Sequence, residues 1–162
     1  MKELAELLIE NGITISSVES FTVGNFATML GSVPGISKVY KGSLITYQSE
    51  TKERLLSIDH ALIEKYGVVS KEIATLMCVN GKSILDTNLC VSFTGNAGPD
   101  AMEGKPVGEV YIGIAYQDVV VYKLNLTGNR HEIASKAVEF AKKKIIEKIN
   151  ENLKKNWEKK RI

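Results

Sequence analysis

The spacing of hydrophobic residues along the chain changes repeatedly between the period of a helix and the period of a strand. Leucines recur at helical spacing until Gly12, and residues 13–18 are rich in β-branched side chains, as in a strand. The same patterns next predict a helix that ends at Gly31, with Phe26, Met29 and Leu30 inside, and then a strand over residues 41–47. A helix capped by Ser49, with Leu55 and Leu56 buried, and a helix from Asp59 to Gly67 follow. A longer helix begins after Ser70, with Ile73, Leu76, Met77 and Ile84 on its inner side, and a strand over residues 89–93 comes after it.

The second half of the chain predicts a hairpin and a long helix. Residues 94–106 are too rich in glycine and proline for regular structure, and strands over residues 108–116 and 119–126 flank a tight turn at Gln117 and Asp118. Asn129 with Glu132 three residues later forms a capping-box pattern before the last helix. Helices that alternate with strands, followed by an antiparallel pair, predict an α/β fold: a three-layer α/β/α sandwich with a mixed sheet. Without a linker or a repeat, residues 1–162 are expected to form one domain.

Charge and hydropathy narrow the classes of protein that fit. The 162 residues carry a formal net charge of +2, which indicates neither an obligate nucleic-acid partner nor an anionic membrane. A basic helix end begins at about Lys142 and is interpreted as a solvated face. No apolar run approaches a membrane span and no signal peptide opens the chain, so a cytoplasmic protein is expected. The apolar stripe from Ile146 to Trp157 exceeds what one small domain needs to cover, so a homo-oligomer stays open.

The cysteines and histidines argue against metal chemistry. Cys78 and Cys90 lie inside apolar runs without a CxxC pattern, and they read as small buried residues. His60 and His131 lie in separate charged helical segments without ligand spacing. We therefore expect neither a metal site nor a Ser-His triad, and a catalytic base would have to be another residue.

Ser20 and Lys52 are the main candidates for chemistry. Ser20 follows a strand and precedes a helix, where a hydroxyl can be exposed beside backbone N–H groups that stabilise an oxyanion. The alternative is that Ser20 or Thr22 simply caps the helix. Lys52 falls in the first turn of a helix, where the dipole disfavours a cation, and desolvation there would favour a neutral general base. An exposed surface lysine is the alternative.

Three further positions carry weaker signals. Tyr47 at a strand end could orient a lysine or relay a proton, or it could be an ordinary tyrosine at a sheet edge. In the loop from Thr94 to Pro99, Gly95 and Gly98 could approach a phosphate or a ribose, although such a loop is also a common turn. Arg130 at the first position of the last helix could hold an anionic substrate or be a surface arginine.

Taken in order, these segments resemble the family of the C-terminal domain of the competence-damage-inducible protein. The resemblance covers nearly the whole chain, and several ordered motifs are more specific than any one of them. They are Glu19-Ser20-Phe21-Thr22-Val23-Gly24, Tyr47-Gln48-Ser49-Glu50-Thr51-Lys52, Gly67-Val68-Val69-Ser70, Thr94-Gly95-Asn96-Ala97-Gly98-Pro99, Lys105-Pro106-Val107-Gly108 and Gly128-Asn129-Arg130.

The resemblance implies a metal-independent and cofactor-free hydrolase, because stand-alone members of the family are nicotinamide mononucleotide amidohydrolases. It implies that Ser20 attacks the carboxamide carbon, that Lys52 accepts the proton and later protonates the ammonia, and that Tyr47 assists the transfer. The nucleotide is then the small-molecule partner. The positions that the resemblance assigns to substrate binding are Thr22, Gly24, Thr94, Gly95, Gly98 and Arg130.

The chain departs from the family pattern beside the predicted nucleophile. The usual Glu-Ser-Cys-Thr-Gly-Gly reads Glu-Ser-Phe-Thr-Val-Gly here, so Phe21 replaces a cysteine and Val23 replaces a glycine. If that glycine serves a positive φ, the valine costs roughly 1–2 kcal/mol. Asn96 stands where an apolar residue is usual, and Asn129 replaces an aspartate but keeps its capping ability. Two alternatives stay open: a non-catalytic member that binds a nucleotide or a protein, and an amidase for another substrate.

Overall fold

The computed structural model describes residues 1–159 and Arg161, and its elements follow the predicted order. The helices are α1 (Lys2–Asn11), α2 (Asn25–Gly31), α3 (Ser49–Leu56), α4 (His60–Tyr66), α5 (Lys71–Ile84) and α6 (Arg130–Lys159). The strands are β1 (Ile15–Glu19), β2 (Tyr40–Ile45), β3 (Leu89–Gly95), β4 (Glu109–Tyr116) and β5 (Asp118–Asn125), and a short 3-10 turn spans Ile36–Lys38. Thr94 and Gly95 therefore end a strand, whereas the sequence had placed them in the following loop.

The five strands form one mixed sheet in the order β2-β1-β3-β4-β5. The central strand pairs β1–β3 and β1–β2 are parallel, and β3–β4 and β4–β5 are antiparallel. In the register, Glu19 lies opposite Ile45 on one side and Phe93 on the other. The carboxyl ends of β1, β2 and β3 therefore meet at one edge of the sheet, where loops converge in open α/β folds.

Helices cover both faces of the sheet, which confirms the predicted three-layer α/β/α sandwich. Helices α1, α2 and α6 pack on one face, with Leu8, Phe26 and Ile145 fully buried against strand residues such as Val91. Helices α3, α4 and α5 pack on the other face in a smaller core. The buried members of this smaller core are Val18, Leu56, Ile58, Ile63, Ile73, Met77, Cys78, Cys90 and Ala115.

Side-chain caps define three of the helix starts as the sequence predicts. Asp59 accepts the N–H of Ala61 at 2.9 Å, and Ser70 accepts the N–H of Ile73 at 3.2 Å. Asn129 and Glu132 bind each other's backbone N–H at 3.0 and 2.7 Å, the reciprocal geometry of a capping box. These bonds fix the start of α6, and with it the position of Arg130, its first residue.

Three further local predictions are wrong. The N-cap of α3 is Gln48, without a side-chain bond, and Ser49 is the first helical residue rather than the cap. Leu55 is 47% exposed and Ile84 is 50% exposed, although helical spacing predicts that both are buried. Leu55 precedes the buried Leu56 in α3, and Ile84 is the last residue of α5, so helical spacing alone does not mark where the contact with the core ends.

Cys78 and Cys90 are buried as expected, and their burial raises the pKa of the Cys78 thiol to about 11 and that of Cys90 to about 12. Thiols with such pKa values remain protonated and unreactive near neutral pH. Within residues 1–159 and Arg161, the helices are too short or too polar to span a bilayer.

Candidate active site

Ser20 lies in the turn between β1 and α2, as the sequence predicts. Its backbone N–H donates to the carbonyl oxygen of Phe93 at 3.0 Å, and its own carbonyl oxygen accepts the N–H of Val23 at 3.1 Å. The N-cap of α2 is Gly24, four residues further along, so Ser20 does not cap this helix. The capping alternative is therefore wrong, and the Ser20 hydroxyl is available for other contacts.

Lys52 lies in the first half of α3 with its side chain fully buried. Its Nζ contacts three oxygens: it donates to the carbonyl oxygen of Thr46 at 2.7 Å, to that of Tyr47 at 3.2 Å and to Ser20 Oγ at 3.3 Å. Two of these acceptors are neutral carbonyl groups at the end of β2. The expectation of a desolvated lysine is confirmed, and its partner is the predicted nucleophile.

Burial changes the acid-base behaviour of this amine. Desolvation lowers the pKa of Lys52 from 10.5 to about 8, and the charge of Glu103 opposes the shift. A neutral amine has two N–H donors and one lone pair. Because the two carbonyl oxygens can take both N–H groups, the lone pair is left to face Ser20 Oγ. The arrangement suits a general base that accepts the hydroxyl proton.

Tyr47 contributes to the site through two different groups. Its carbonyl oxygen receives Lys52 Nζ and also accepts the Ser20 hydroxyl at 3.4 Å. Its own hydroxyl lies away from Lys52 and accepts a hydrogen bond from Arg130 Nη1 at 3.3 Å. The backbone of Tyr47 therefore orients the lysine, and its phenol orients the arginine.

Ser20 opens into a cleft of about 280 Å³ at the carboxyl edge of the sheet. Arg130 lies in its wall and donates to the carbonyl oxygen of Gly98 as well as to Tyr47, so two of its five N–H donors are occupied. A guanidinium held in this way has donors left for an anionic group. The residues that line the cleft are Ser20, Phe21, Tyr47, Val68, Thr94, Gly95, Asn96, Ala97, Gly98, Pro99, Asp100, Met102 and Arg130.

The structure brings most of the predicted positions together but separates two of them. Ser20, Tyr47, Thr94, Gly95, Gly98 and Arg130 share the cleft, and Lys52 lies directly behind Ser20. Thr94 turns its hydroxyl to the carbonyl oxygen of Val68 at 2.6 Å. Thr22 and Gly24 line a neighbouring depression instead, and the Thr22 hydroxyl donates to Glu19 at 2.7 Å. Substrate binding by these two residues stays a prediction.

Val23 adopts a positive φ of 47°. This is the left-handed region that the substituted glycine of the family pattern suggested, and a β-branched side chain is strained there. The side chain is 60% exposed. The strain lies within the turn that carries Ser20, three residues from the hydroxyl.

Two residues of the site escaped the sequence interpretation. Glu19 is fully buried beside Ser20, and its carboxylate binds the start of α2. The available signal was a charged residue at the end of an otherwise uncharged strand. Asn96 is also buried, donating to the carbonyl oxygen of Lys105 at 3.1 Å and accepting the N–H of Gly98 at 3.2 Å. It closes the base of the loop that forms one cleft wall, which explains a polar residue at an apolar position.

Known proteins share both the sequence and the fold. The CinA C-terminal domain model matches residues 1–149. A competence-damage inducible protein of Oceanobacillus iheyensis is 47% identical over 136 residues, which cover 83% of this chain and 33% of that protein. One of Levilactobacillus brevis is 42% identical over 137 residues, with coverage of 83% and 33%. The chain thus spans about a third of the length of these curated relatives.

Solved structures of related proteins have the same fold. A CinA superfamily protein of Klebsiella pneumoniae superimposes with a TM-score of 0.90 at 24% identity, covering 93% of this chain and 95% of that one, and it speaks for the fold alone. A competence/damage inducible protein of Agrobacterium tumefaciens reaches a TM-score of 0.85 at 28% identity, covering 92% and 94%. With the family match over residues 1–149 and the relatives above, the chain belongs to the CinA C-terminal domain family.

Proposed function

We propose that this domain is a metal-independent amidohydrolase that converts nicotinamide mononucleotide to nicotinate mononucleotide and ammonia. The observation that carries the proposal is the contact of 3.3 Å between the buried Lys52 amine and Ser20 Oγ at the wall of a cleft. A lysine with a pKa of about 8 is partly neutral at neutral pH, which the reaction requires.

In the first half of the proposed reaction, Ser20 Oγ attacks the carboxamide carbon while Lys52 takes the hydroxyl proton. The carbonyl π electrons move to oxygen, which forms a tetrahedral oxyanion. For this oxyanion we propose the backbone N–H of Phe21, because the residue after a nucleophile commonly donates there. Collapse of the oxyanion breaks the C–N bond, and the Lys52 ammonium gives its proton to the departing nitrogen, which leaves as ammonia.

In the second half, water hydrolyses the acyl ester on Ser20. Lys52, neutral again, accepts a proton from the water as its oxygen attacks the acyl carbon, and the proton then returns to Ser20 Oγ as the ester bond breaks. The product is formed as the carboxylic acid, loses its proton to solvent and leaves as nicotinate mononucleotide. The remaining donors of Arg130 suit the phosphate of the substrate, which would place the pyridine ring near Phe21 and Ser20.

The test is ammonia release from nicotinamide mononucleotide by the purified protein, followed with a coupled glutamate dehydrogenase assay. Ser20→Ala and Lys52→Ala are each expected to lower kcat by at least about 1,000-fold, since the pair acts as one unit. Ser32→Ala and Lys38→Ala are matched controls, because both side chains are exposed and lie outside the cleft. These two variants should retain wild-type rates.

The pH profile supplies a second criterion. Because Lys52 must be neutral to act as a base, kcat/KM should rise with pH and level off above about 8. No ammonia release, or full release by Ser20→Ala or Lys52→Ala, would refute the mechanism. Thermal stabilisation by the nucleotide without turnover would indicate a binding protein, and release from other amides alone would indicate a different substrate.

A further inference from the structure

Glu19 is a fully buried carboxylate directly before Ser20, and none of the steps above uses it. Four donors surround its two oxygens. Oε2 accepts the Thr22 hydroxyl at 2.7 Å and the N–H of Phe26 at 3.2 Å. Oε1 accepts the N–H of Ala27 at 2.9 Å and the Ser17 hydroxyl at 3.1 Å. All four groups are donors, which matches an acceptor-only carboxylate.

These bonds join the two ends of the turn that carries Ser20. Phe26 and Ala27 belong to the first turn of α2, so their free N–H groups would otherwise need another partner. Thr22 lies in the middle of the turn. The carboxylate therefore holds the end of β1, the middle of the turn and the start of α2 at fixed mutual distances. It also occupies two free N–H groups at the start of α2, which are therefore not available to an oxyanion.

The backbone of Glu19 holds the other half of the catalytic pair. Its carbonyl oxygen accepts the N–H of Thr46 at 2.9 Å. Thr46 and Tyr47 in turn supply the carbonyl oxygens that receive Lys52 Nζ. One residue thus fixes the turn of Ser20 through its side chain and the frame of Lys52 through its backbone.

The turn needs such an anchor because its backbone is strained. Val23 at φ 47° lies between Thr22, which the carboxylate binds, and the helix whose first N–H groups it also binds. A strained conformation persists only where its surroundings determine it from several sides. Without the carboxylate, the turn would relax and carry Ser20 Oγ with it.

We propose that Glu19 is a positioning residue that sets the distance between Ser20 Oγ and Lys52 Nζ, an inference that rests on the proposed function. Its side chain does not line the cleft and makes no bond to Lys52 Nζ, so the carboxylate acts through the turn. Its loss should therefore reduce the rate of the chemical step while leaving the affinity for substrate and the protonation of Lys52 nearly unchanged.

The decisive variant is Glu19→Gln, which keeps the shape but presents an amide NH2 group to N–H and O–H donors. We expect kcat for ammonia release to fall about 100-fold, the usual effect of a misplacement near 1 Å. KM should stay within about twofold, and the pH midpoint should remain near 8. Ser16→Ala is the matched control, because it alters another buried polar side chain of β1, a hydroxyl that bonds Thr87 at the opposite end of the strand.

A crystal structure of Glu19→Gln gives a readout independent of turnover. The inference predicts that Ser20 Oγ moves out of hydrogen-bond reach of Lys52 Nζ, whereas in Ser16→Ala the contact persists. If Glu19→Gln does not fold, Glu19→Asp, which withdraws the carboxylate by one methylene, carries the same expectations. An unchanged Ser20–Lys52 contact or an unchanged kcat would overturn the inference. A wild type without turnover would refute the proposed function alone, because the structural comparison would still decide the role of Glu19.

Discussion

Replacement of Val23 by glycine and by alanine tests whether the turn of Ser20 is strained. Val23 has a φ of 47°, where an L residue costs roughly 1–2 kcal/mol and glycine costs nothing comparable. The side chain is 60% exposed, so its truncation removes well under half of the roughly 1.5–3 kcal/mol that full burial of a valine contributes, or about 1 kcal/mol. The relieved strain and the lost contact nearly cancel, so the absolute stability of Val23→Gly is a poor test.

The difference between the two variants isolates the backbone. Both lose the valine side chain, but alanine keeps a Cβ in the left-handed region, so Val23→Gly should be more stable than Val23→Ala by about 1 kcal/mol. At Val79, a partly exposed valine within α5, the order should reverse, because glycine in a helix is about 1 kcal/mol less favourable than alanine. Each difference corresponds to about 2–4 °C in Tm for a domain of this size.

The assay is urea unfolding of the four variants, with the m values compared to confirm a common unfolding reaction. If Val23→Ala were more stable than Val23→Gly, as is expected for the two variants at position 79, the inference that the backbone at Val23 is strained would be refuted. Val23→Gly should also retain the proposed ammonia release, because glycine adopts the φ of 47° without strain and the turn keeps its conformation. Loss of activity in Val23→Gly would show that the valine itself serves the site.

Three further outcomes follow from the structure. Burial lowers the pKa of Lys52 from 10.5 to about 8, so the unfolded state binds more protons than the folded state between these pH values. In denaturant titrations, the free energy of unfolding of the wild type should therefore rise by about 3 kcal/mol relative to that of Lys52→Met as pH rises from 8 to 10.5. A difference in stability that stays constant with pH would contradict the shift. Asn129→Ala removes the cap of α6 and should lower the free energy of unfolding by about 1 kcal/mol. Asn129→Asp keeps a capping oxygen and should leave the free energy of unfolding unchanged. Gly108→Ala should lower Tm strongly, since its Cβ would lie 1.8 Å from the carbonyl oxygen of Leu126, and a wild-type Tm would contradict that contact.

Local sequence patterns predicted which helices and strands exist, because the spacing of apolar residues in an element follows from which of its faces is buried. Phe26 and Leu30 recur at helical spacing since one face of α2 packs on the sheet, and Asn129 with Glu132 marks a helix start by chemistry confined to four residues. Leu55 and Ile84 are exposed although both recur at helical spacing, because the extent of the buried face is set by contacts with the rest of the fold and not within the helix. The strand order β2-β1-β3-β4-β5 is likewise set by packing between distant segments.

The candidate site was predicted in part for the same reason. Ser20 follows a strand and precedes a helix, which is visible locally, but its contact with Lys52 joins residues 32 positions apart. The role of the Tyr47 carbonyl, as distinct from its hydroxyl, depends on the direction of the chain after β2. The role of Glu19 could not be predicted from the sequence, because it depends on the contacts of its two oxygens with the start of α2.

The pairing of β1 with β3 has a consequence for how the chain folds. Ile15 pairs with Leu89, and Thr14 bonds Asn88 across 74 residues, so closure of a long loop must precede completion of the central sheet. Such non-local pairing slows folding. The N–H of Ser20 donates to the carbonyl oxygen of Phe93 in β3, so a fragment that ends before β3 lacks this bond. In refolding from denaturant, we therefore expect the proposed ammonia release to return only after β1 and β3 have paired.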